Sequence, residues 1–317
     1  MAGANGTAGS VLRIERSSIH DGQGLRTVIF FKGCSLDCAW CSTPESKEIA
    51  FEKGYAGELC AACGKCVEAC PQNAVQLTPD CSKVSTDAAV CIKCFRCAEV
   101  CPSRAVKRYG SILSVSEVMR QVSRDEIFYY HSGGGVTLSG GEPLNQAEFA
   151  ARILQECRLL GINTAMESSF YCDYESVEKI LPWLDTLYVD IKHMDSHEHR
   201  SGTGSDNSLI LDNIRRADQS RFPLTVVVRI PLIPGFNDGD RNLLETLQFC
   251  KGLEKLREIE LLPYHRLGSE TYAYLGRDYS CRELIPQSEE QLLERVSFLR
   301  RQKSGIKISA GSGFSAE

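Results

Sequence analysis

The sequence lacks the features that would place it with membrane, secreted or nucleic-acid-coating proteins. It contains no run of 18 consecutive apolar residues, and it begins with small polar residues instead of a basic segment followed by an apolar one. It also lacks a basic excess, because 36 Lys and Arg stand against 41 Asp and Glu, which gives a formal net charge of −5. We therefore expect neither a nucleic acid nor a membrane as partner.

Cysteine, by contrast, is abundant. There are 16 cysteines among 317 residues, although a chain of this length with 43% hydrophobic residues can bury a core without help from disulfides. Disulfides are rare in the reducing cytoplasm, where clustered cysteines more often bind metal or take part in chemistry. We therefore expect a cytoplasmic protein whose cysteines serve a metal centre.

Eleven of the cysteines fall into three tight groups, and the second and third groups form an internal repeat. Each reads C-x2-C-x2-C-x3-C-P, and each cysteine of the third group lies 31 residues after its counterpart. This is the run of bacterial ferredoxins, in which three thiolates bind one [4Fe–4S] cluster and the fourth crosses to the other. The predicted ligand sets are Cys60, Cys63, Cys66 and Cys101 for one cluster and Cys70, Cys91, Cys94 and Cys97 for the other.

The first group, Cys34, Cys38 and Cys41, has the different spacing C-x3-C-x2-C. Three thiolates in one loop are too few to close a cubane, so one iron would be left open to bind a small ligand. A zinc site completed by a distant ligand is the alternative for this group, and a pair of zinc knuckles is the alternative for the repeat. Zinc knuckles use two-plus-two ligands and need neither the third closely spaced cysteine nor the proline.

Strand-like and helical patterns alternate six times along the chain, which predicts an α/β fold with a parallel sheet and right-handed crossovers. Six units are too few for an eight-stranded barrel, so we expect a partial, open (β/α)6 TIM-like barrel. The strand-like runs are Thr27–Phe31, Val136–Ser139, Asn163–Glu167, Thr186–Ile191, Leu224–Ile230 and Glu258–Leu262. The helical patterns are Ser116–Val122, Gln146–Leu160, Tyr174–Leu184, Ser208–Ala217, Arg241–Lys251 and Ser288–Arg301.

The cysteine repeat interrupts this alternation after the first strand, which predicts an inserted domain. We expect residues 1–50 to hold the N-terminal segment, the first strand and the Cys34 loop. Residues 51–108 would form a 2[4Fe–4S] ferredoxin-like domain, and residues 109–317 would complete the barrel.

Polar residues follow or end each later strand, at the edge where barrels of this kind carry their active sites. Paired glycines let a backbone approach a ligand closely, and residues two apart on a strand, such as Asp190 and Lys192, share a face. These candidate site residues are Gly140, Gly141, Glu142, Glu167, Ser168, Asp190, Lys192, Arg229 and His265.

The Cys34 loop, with Trp40 before its last cysteine, resembles that of radical S-adenosylmethionine enzymes. Further motifs narrow the resemblance to the glycyl radical enzyme activating enzymes, and it extends over nearly the whole chain. They are Ser18-Ile-His-Asp-Gly-Gln-Gly-Leu-Arg-Thr27, Phe31-Lys-Gly-Cys34, Cys41-Ser-Thr-Pro-Glu-Ser46, Asp190-x-Lys192 and Leu262-Pro-Tyr-His265. The resemblance implies reductive cleavage of S-adenosylmethionine to methionine and a 5′-deoxyadenosyl radical, which removes a Cα hydrogen from one glycine of a partner enzyme.

The resemblance also implies roles for single residues. The catalytic group would be Cys34, Cys38, Cys41 and Lys192. The contacts to S-adenosylmethionine would come from Trp40, Gly140, Gly141, Glu142, Ser168, Asp190, Lys192, Arg229 and His265. Asp21 and Arg26 would meet the partner's glycine loop, and Glu167 and Asp190 would hold a monovalent cation.

By the same resemblance, the cofactors would be three [4Fe–4S] clusters, S-adenosylmethionine and a monovalent cation. The protein substrate would be a glycyl radical enzyme in an anaerobic organism, and flavodoxin or ferredoxin would supply electrons. The inserted domain marks a subgroup that activates lyases, dehydratases, decarboxylases and succinate-adding synthases instead of pyruvate formate-lyase. Two alternatives stay open, namely a small-molecule radical enzyme with auxiliary clusters and a non-catalytic electron carrier.

Three cubanes predict an iron content of about 12 per chain after anaerobic reconstitution. Elemental analysis of the reconstituted protein measures this directly. A content near four would contradict the assignment of the repeat to iron–sulfur clusters, and a chain that takes up zinc in preference to iron would favour the knuckle alternative.

Overall fold

The computed structural model describes residues 7–311, so the first six residues of the predicted segment 1–50 and the last six of 109–317 lie outside the described residues. The strands are β1 (Ala8–Ser18), β2 (Arg26–Phe31), β3 (Glu52–Tyr55), β4 (Val75–Leu77), β5 (Val84–Thr86), β6 (Val106–Tyr109), β7 (Ser111–Ser114), β8 (Gly135–Gly140), β9 (Asn163–Ser168), β10 (Thr186–Asp190), β11 (Thr225–Leu232), β12 (Leu256–Pro263) and β13 (Lys307–Ala310). The α-helices are α1 (Lys65–Glu68), α2 (Arg96–Glu99), α3 (Val115–Val122), α4 (Glu126–Ser132), α5 (Ala147–Leu159), α6 (Tyr174–Ile180), α7 (Ser196–Thr203), α8 (Ser208–Asp218), α9 (Asp240–Cys250), α10 (Ser269–Tyr274) and α11 (Glu289–Arg300). Short 3-10 turns cover Pro44–Ser46, Gly57–Leu59, Ser123–Asp125, Pro143–Gln146 and Leu181–Trp183.

A nine-stranded sheet dominates the fold, in the order β13-β12-β11-β10-β9-β8-β2-β1-β7. The strands from β2 to β13 in that order are parallel, whereas β1 pairs antiparallel with both β2 and β7. The predicted α/β fold with a mostly parallel sheet is therefore confirmed. The six predicted strands correspond to β2 and β8 through β12, and the predicted helices correspond to α3, α5, α6, α8, α9 and α11.

The sheet is wider than the sequence predicted, because β1, β7 and β13 extend it. β1 has only three fully buried residues at its start and exposed polar residues towards its end, and its register with β2 shifts twice. A strand that is half solvated and irregular in register does not show the steady apolar pattern by which buried strands are found.

The core lies between the parallel strands and the helices that connect them. β11 reads Thr-Val-Val-Val-Arg-Ile-Pro-Leu, and six of its eight residues are buried. This apolar run, interrupted by Arg229, is typical of a parallel strand that is covered on both faces. Helix α5 packs Ile153 and Leu154 into the same core, and both side chains are fully buried.

Residues 52–109 form a separate small unit of two short sheets, β3 with β6 and β4 with β5. Its two one-turn helices, α1 and α2, each follow a residue in left-handed conformation, Gly64 (φ 73°) and Phe95 (φ 61°). These two residues stand 31 positions apart, as the cysteines do, so the repeat in the sequence is also a repeat in backbone conformation.

Polar contacts fasten this unit to the main sheet. The carboxylate of Glu52 accepts from Lys32 at 3.3 Å and from Arg277 at 2.5 Å, and the hydroxyl of Tyr274 donates to Glu58 at 2.6 Å. Lys32 directly precedes the Cys34 loop, so the unit is anchored beside that loop. Among the helices within residues 7–311, none has both the length and the apolar composition needed to cross a bilayer.

Two leucines of α5 give a matched test of this core, because Leu154 is fully buried and Leu159 is 72% exposed. We expect Leu154→Ala to lower the free energy of unfolding by about 2–5 kcal/mol, since it leaves a cavity. Leu159→Ala should change it by no more than about 0.5 kcal/mol. Urea unfolding of the reconstituted proteins without oxygen measures both, and equal effects would contradict the described packing of α5.

Candidate active site

The Cys34 loop leaves the carboxyl end of β2 and folds back on itself. Gly33 N donates to Ser46 O at 2.7 Å and Cys34 N to Lys47 O at 2.9 Å, so main-chain bonds close the base of the loop. The last turn of α7 supports it from the side, because Asp37 N donates to Thr203 O at 2.8 Å and Ala39 N to Gly202 O at 3.0 Å. The loop is therefore a fixed structure and not a free segment.

The three thiols of this loop are half-buried and lie near one another. Burial raises the pKa of Cys34 to about 12 and that of Cys38 to about 11, and it raises the pKa of Cys41 as well. Deprotonating such thiols requires nearby positive charge, which a bound metal group supplies. The donor set thus fits an iron–sulfur cluster.

Within residues 7–311, no three His, Cys, Asp or Glu side chains converge on a point where a single metal ion would fit. A cubane requires no such convergence, because each of its irons takes one thiolate.

A tight turn after β8 lies against the base of the Cys34 loop. Gly141 N donates to Phe31 O at 3.0 Å and Glu142 N to Gly33 O at 2.7 Å. A Cβ on Gly141 would lie 2.3 Å from Gly33 O, and Gly140 adopts a φ of +106°. Glycine is thus needed at both positions because two backbones approach each other here. The sequence alone suggested that a ligand approaches the turn.

Glu142 is completely buried, and its carboxylate is fully engaged. It accepts from Ser168 Oγ at 2.7 Å, from Ser169 Oγ at 2.6 Å and Ser169 N at 2.9 Å, and from Leu144 N at 3.2 Å. Desolvation nevertheless raises its pKa, against the effect of these hydrogen bonds. Glu142 therefore joins the end of β8 to the end of β9, with its charge close to Cys34.

Lys192 and Asp190 form an ion pair of 2.8 Å at the end of β10. The ammonium of Lys192 is almost buried and lies near Cys38 and Cys34. Burial lowers the pKa of Lys192, but the negative charges of Asp190 and the thiolates outweigh this effect and hold the pKa above its usual value. Buried Asn237 holds the backbone here, because its Nδ2 donates to Lys192 O and to Pro231 O, each at 2.7 Å. A fixed cation thus faces the thiol loop.

Arg229 lies beside Asp190 in the register of β10 and β11. Its guanidinium is clamped between the carboxylates of Glu167 and Glu260, the latter at 2.8 Å from Nε, and it stacks over Tyr188 at 4.0 Å from the ring centre. Glu167 also accepts from Ser139 Oγ at 2.5 Å. This face of the sheet therefore carries a row of compensated charges.

Two predicted contact residues lie apart from this group. Trp40 is 8% exposed and packs against Phe236 with ring centres 4.8 Å apart, in an apolar cluster with Tyr264 and Tyr272. His265 is exposed beyond the end of β12. Neither side chain is drawn into the polar group around Lys192.

Asp21 and Arg26 lie at the opposite edge of the sheet, in and directly after the loop of residues 19–25 that joins β1 to β2, here called the β1–β2 loop. Ser18 Oγ donates to the Asp21 carboxylate, whose charge lies close to Glu167. Arg26 is 1% exposed. An open cleft of about 410 Å³ separates this loop from the rest of the sheet, and it is lined by Ile19, His20, Gly22, Gln23, Tyr188, Arg229, Arg257, Glu260 and Lys307.

The eight cysteines of the repeat lie in the small unit, which also holds Cys81. Four of them line one cavity, and they are Cys70, Cys91, Cys94 and Cys97. Burial raises the pKa of Cys66, and the neighbouring Cys101, Cys97 and Cys60 raise it further, while Cys63 is exposed. Although desolvation opposes it, backbone N–H groups lower the pKa of Cys70 and Cys101, as they do around cluster-binding sulfurs.

Sequence reasoning missed Glu260 and Ser139. The signal for Glu260 was present, because β12 carries Arg257 and the two acidic residues Glu258 and Glu260, at a spacing of two, among apolar residues. In a covered parallel strand such charges need partners on the same face. Ser139 gave no comparable signal, since small hydroxyl residues occur in strands for packing alone.

Residues 28–247 match the radical SAM superfamily. The isethionate sulfite-lyase activating enzyme of Oleidesulfovibrio alaskensis is 43% identical, over 92% of this chain and 94% of that protein. The (2S)-3-sulfopropanediol sulfolyase activating enzyme of Bilophila wadsworthia is 40% identical, over 92% and 96%. The trans-4-hydroxy-L-proline dehydratase activating enzyme of Clostridioides difficile is 37% identical, over 94% and 98%.

The approach of the two backbones gives a test of the site. In Gly141→Ala the added methyl group would collide with Gly33 O, so the Cys34 loop should shift and the iron content should fall from about 12 towards about 8. Gly239→Ala is the matched control, since its Cβ would meet nothing within 4 Å and its φ is −73°. Full iron loading of Gly141→Ala would contradict the described contact.

Proposed function

Because the chain belongs to the glycyl radical enzyme activating enzymes of the radical SAM superfamily, we propose that it cleaves S-adenosylmethionine reductively and removes a hydrogen atom from the Cα of one glycine in a partner enzyme. One observation carries this function. The C-x3-C-x2-C loop, the buried Glu142 and the fixed Lys192 meet at one edge of the sheet, in a chain whose relatives of 37–43% identity are activating enzymes.

We propose that Cys34, Cys38 and Cys41 each give one thiolate to a [4Fe–4S] cluster. When bound, the cluster and S-adenosylmethionine together supply the 5′-deoxyadenosyl radical. The closed base of the loop holds the three sulfurs in place, and Lys192 offers an ammonium beside Cys38. Cleavage leaves methionine as the other product.

For the contacts to S-adenosylmethionine we propose the strand-end residues. The turn of Gly140, Gly141 and Glu142 would bind the amino group, with Glu142 acting chiefly as the brace that keeps the turn and Ser168 together. Lys192 and Ser168 would bind the carboxylate. The contacts to the remainder would come from Trp40, Asp190, Arg229 and His265.

A monovalent cation between Glu167 and Asp190 is a further proposal. The two carboxylates lie on one face of neighbouring strands, since Glu167 pairs in register with Tyr188, two residues before Asp190. Each already has a cationic neighbour, Arg229 for Glu167 and Lys192 for Asp190. A bound cation would therefore share these carboxylates with the two side chains.

We propose that residues 51–108 are an inserted ferredoxin-like domain in an open partial (β/α)6 barrel. One cluster would be bound by Cys60, Cys63, Cys66 and Cys101, and the other by Cys70, Cys91, Cys94 and Cys97. The matched one-turn helices and the cavity lined by the second set support this. Flavodoxin or ferredoxin would deliver the electrons.

The partner is proposed to be a glycyl radical lyase, dehydratase or decarboxylase instead of pyruvate formate-lyase. Relatives that cover about nine-tenths of the chain carry the names of activating enzymes for such partners, including an indoleacetate decarboxylase activating enzyme at 35% identity. Because a cluster with an open iron reacts with oxygen, we propose an anaerobic cytoplasm as the place of action.

Replacing any one cysteine of the loop tests this function. Cys34→Ala, Cys38→Ala and Cys41→Ala should each lower 5′-deoxyadenosine formation by more than about 100-fold, because each removes a cluster ligand. Cys81→Ala, an exposed cysteine outside the three groups, should keep wild-type activity.

The assay uses reduced protein, S-adenosylmethionine and a peptide with the sequence Arg-Val-Ala-Gly-Tyr. Electron paramagnetic resonance should show the doublet of a glycyl radical with wild type and with Cys81→Ala only. Cleavage of S-adenosylmethionine without that doublet would favour a small-molecule substrate. A wild-type signal from a loop variant would exclude the proposed cluster.

A further inference from the structure

The guanidinium of Arg26 is buried, yet no carboxylate within residues 7–311 forms an ion pair or hydrogen bond with it. Nε donates to Thr137 Oγ1 at 2.6 Å, and Nη1 donates to Gln23 O at 3.2 Å and to Asn163 Oδ1 at 3.0 Å. Nη2 donates to Val136 O at 2.6 Å and to Asn163 O at 3.4 Å. All five donors of the side chain are therefore used within the protein, and none is left for a bound peptide.

A buried arginine without an acidic partner is uncommon and costly, so its contacts indicate what it holds. One contact, Gln23 O, belongs to the β1–β2 loop, and the Thr137 hydroxyl that accepts from Arg26 donates in turn to Asp21 O at 2.7 Å. Arg26 and Thr137 thus hold two backbone carbonyl groups of the loop, those of Gln23 and Asp21.

The loop backbone has little room to adopt another position. Gly22 has a φ of +128°, and a Cβ there would lie 2.9 Å from Arg26 Cδ and 3.2 Å from the hydroxyl of Tyr188. At the far end of the loop, Leu25 N donates to Ser132 Oγ at 2.9 Å. The loop therefore rests directly on the Arg26 side chain and forms one wall of the cleft that reaches Arg229.

We propose that Arg26 and Thr137 are positioning residues that fix the β1–β2 loop as one wall of the site for the partner's glycine segment. This rests on the proposed activating function and differs from the role that the resemblance implied for Arg26, since Arg26 acts on the segment through the loop and not by contact. The side chain of Asp21 and the residues that line the cleft remain the groups that face the segment.

Thr137→Val tests this, with Thr137→Ser as the matched control. Valine keeps the shape of threonine but removes the hydroxyl, which leaves Arg26 Nε and Asp21 O without their partner, whereas serine keeps the hydroxyl. For Thr137→Val we expect the KM of the Arg-Val-Ala-Gly-Tyr peptide to rise by about tenfold, a size typical of buried groups left without partners. The dissociation constant for S-adenosylmethionine should stay within about twofold, and Thr137→Ser should behave as wild type.

Amide hydrogen exchange of the reconstituted variants gives a readout without activity. Exchange in residues 19–25 should speed up in Thr137→Val, while residues 147–159 of α5 should stay protected in both variants. Unchanged exchange in the loop would overturn the proposal, as would an equal loss of affinity for peptide and for S-adenosylmethionine. A wild-type protein that cleaves S-adenosylmethionine but leaves the peptide unchanged would refute the activating function instead, and the exchange result would still decide the role of Thr137.

Discussion

The contact of two backbones at the carboxyl edge of the sheet is the constraint on which the site depends. The turn after β8 lies so close to the end of β2 that Gly141 has no room for a side chain, and two hydrogen bonds fix the approach. Cys34 follows one side of this contact and Glu142 follows the other. The thiol loop, the buried carboxylate and its serine partners on β9 therefore take their places together, and a shift in one backbone would move all of them.

Charge is distributed along one face of the sheet so that each buried group has a partner. Lys192 is paired with Asp190, and Arg229 is held between Glu167 and Glu260. Removing one member of such a set leaves an uncompensated charge. A single replacement in one of these pairs should therefore destabilise the fold. Arg26 differs because carbonyl, amide and hydroxyl oxygens accept all of its hydrogen bonds, and these bonds hold a loop instead of a second charged side chain.

The sequence predicted the buried parallel strands well, since mostly apolar, β-branched runs such as that of β11 leave few alternatives. It did not predict β1, whose polar half faces solvent, and it gave no sign that the guanidinium of Arg26 is buried. For the Gly140–Gly141 turn the sequence suggested the approach of a ligand, and the structure adds the approach of a second backbone. A residue type tells which chemistry is available, but whether a glycine meets a ligand or another backbone depends on what lies opposite it.

Local spacing is what the sequence by itself determined: the thiol groups lie within runs of about ten residues, and the strand ends follow from their apolar runs. Tertiary structure alone decided the partnerships across strands. Arg229 meets Glu260 over a separation of 31 residues, and Arg26 meets Thr137 over 111. Such pairs depend on the register of neighbouring strands and on which side chains share a face. The spacing of residues along the sequence shows neither.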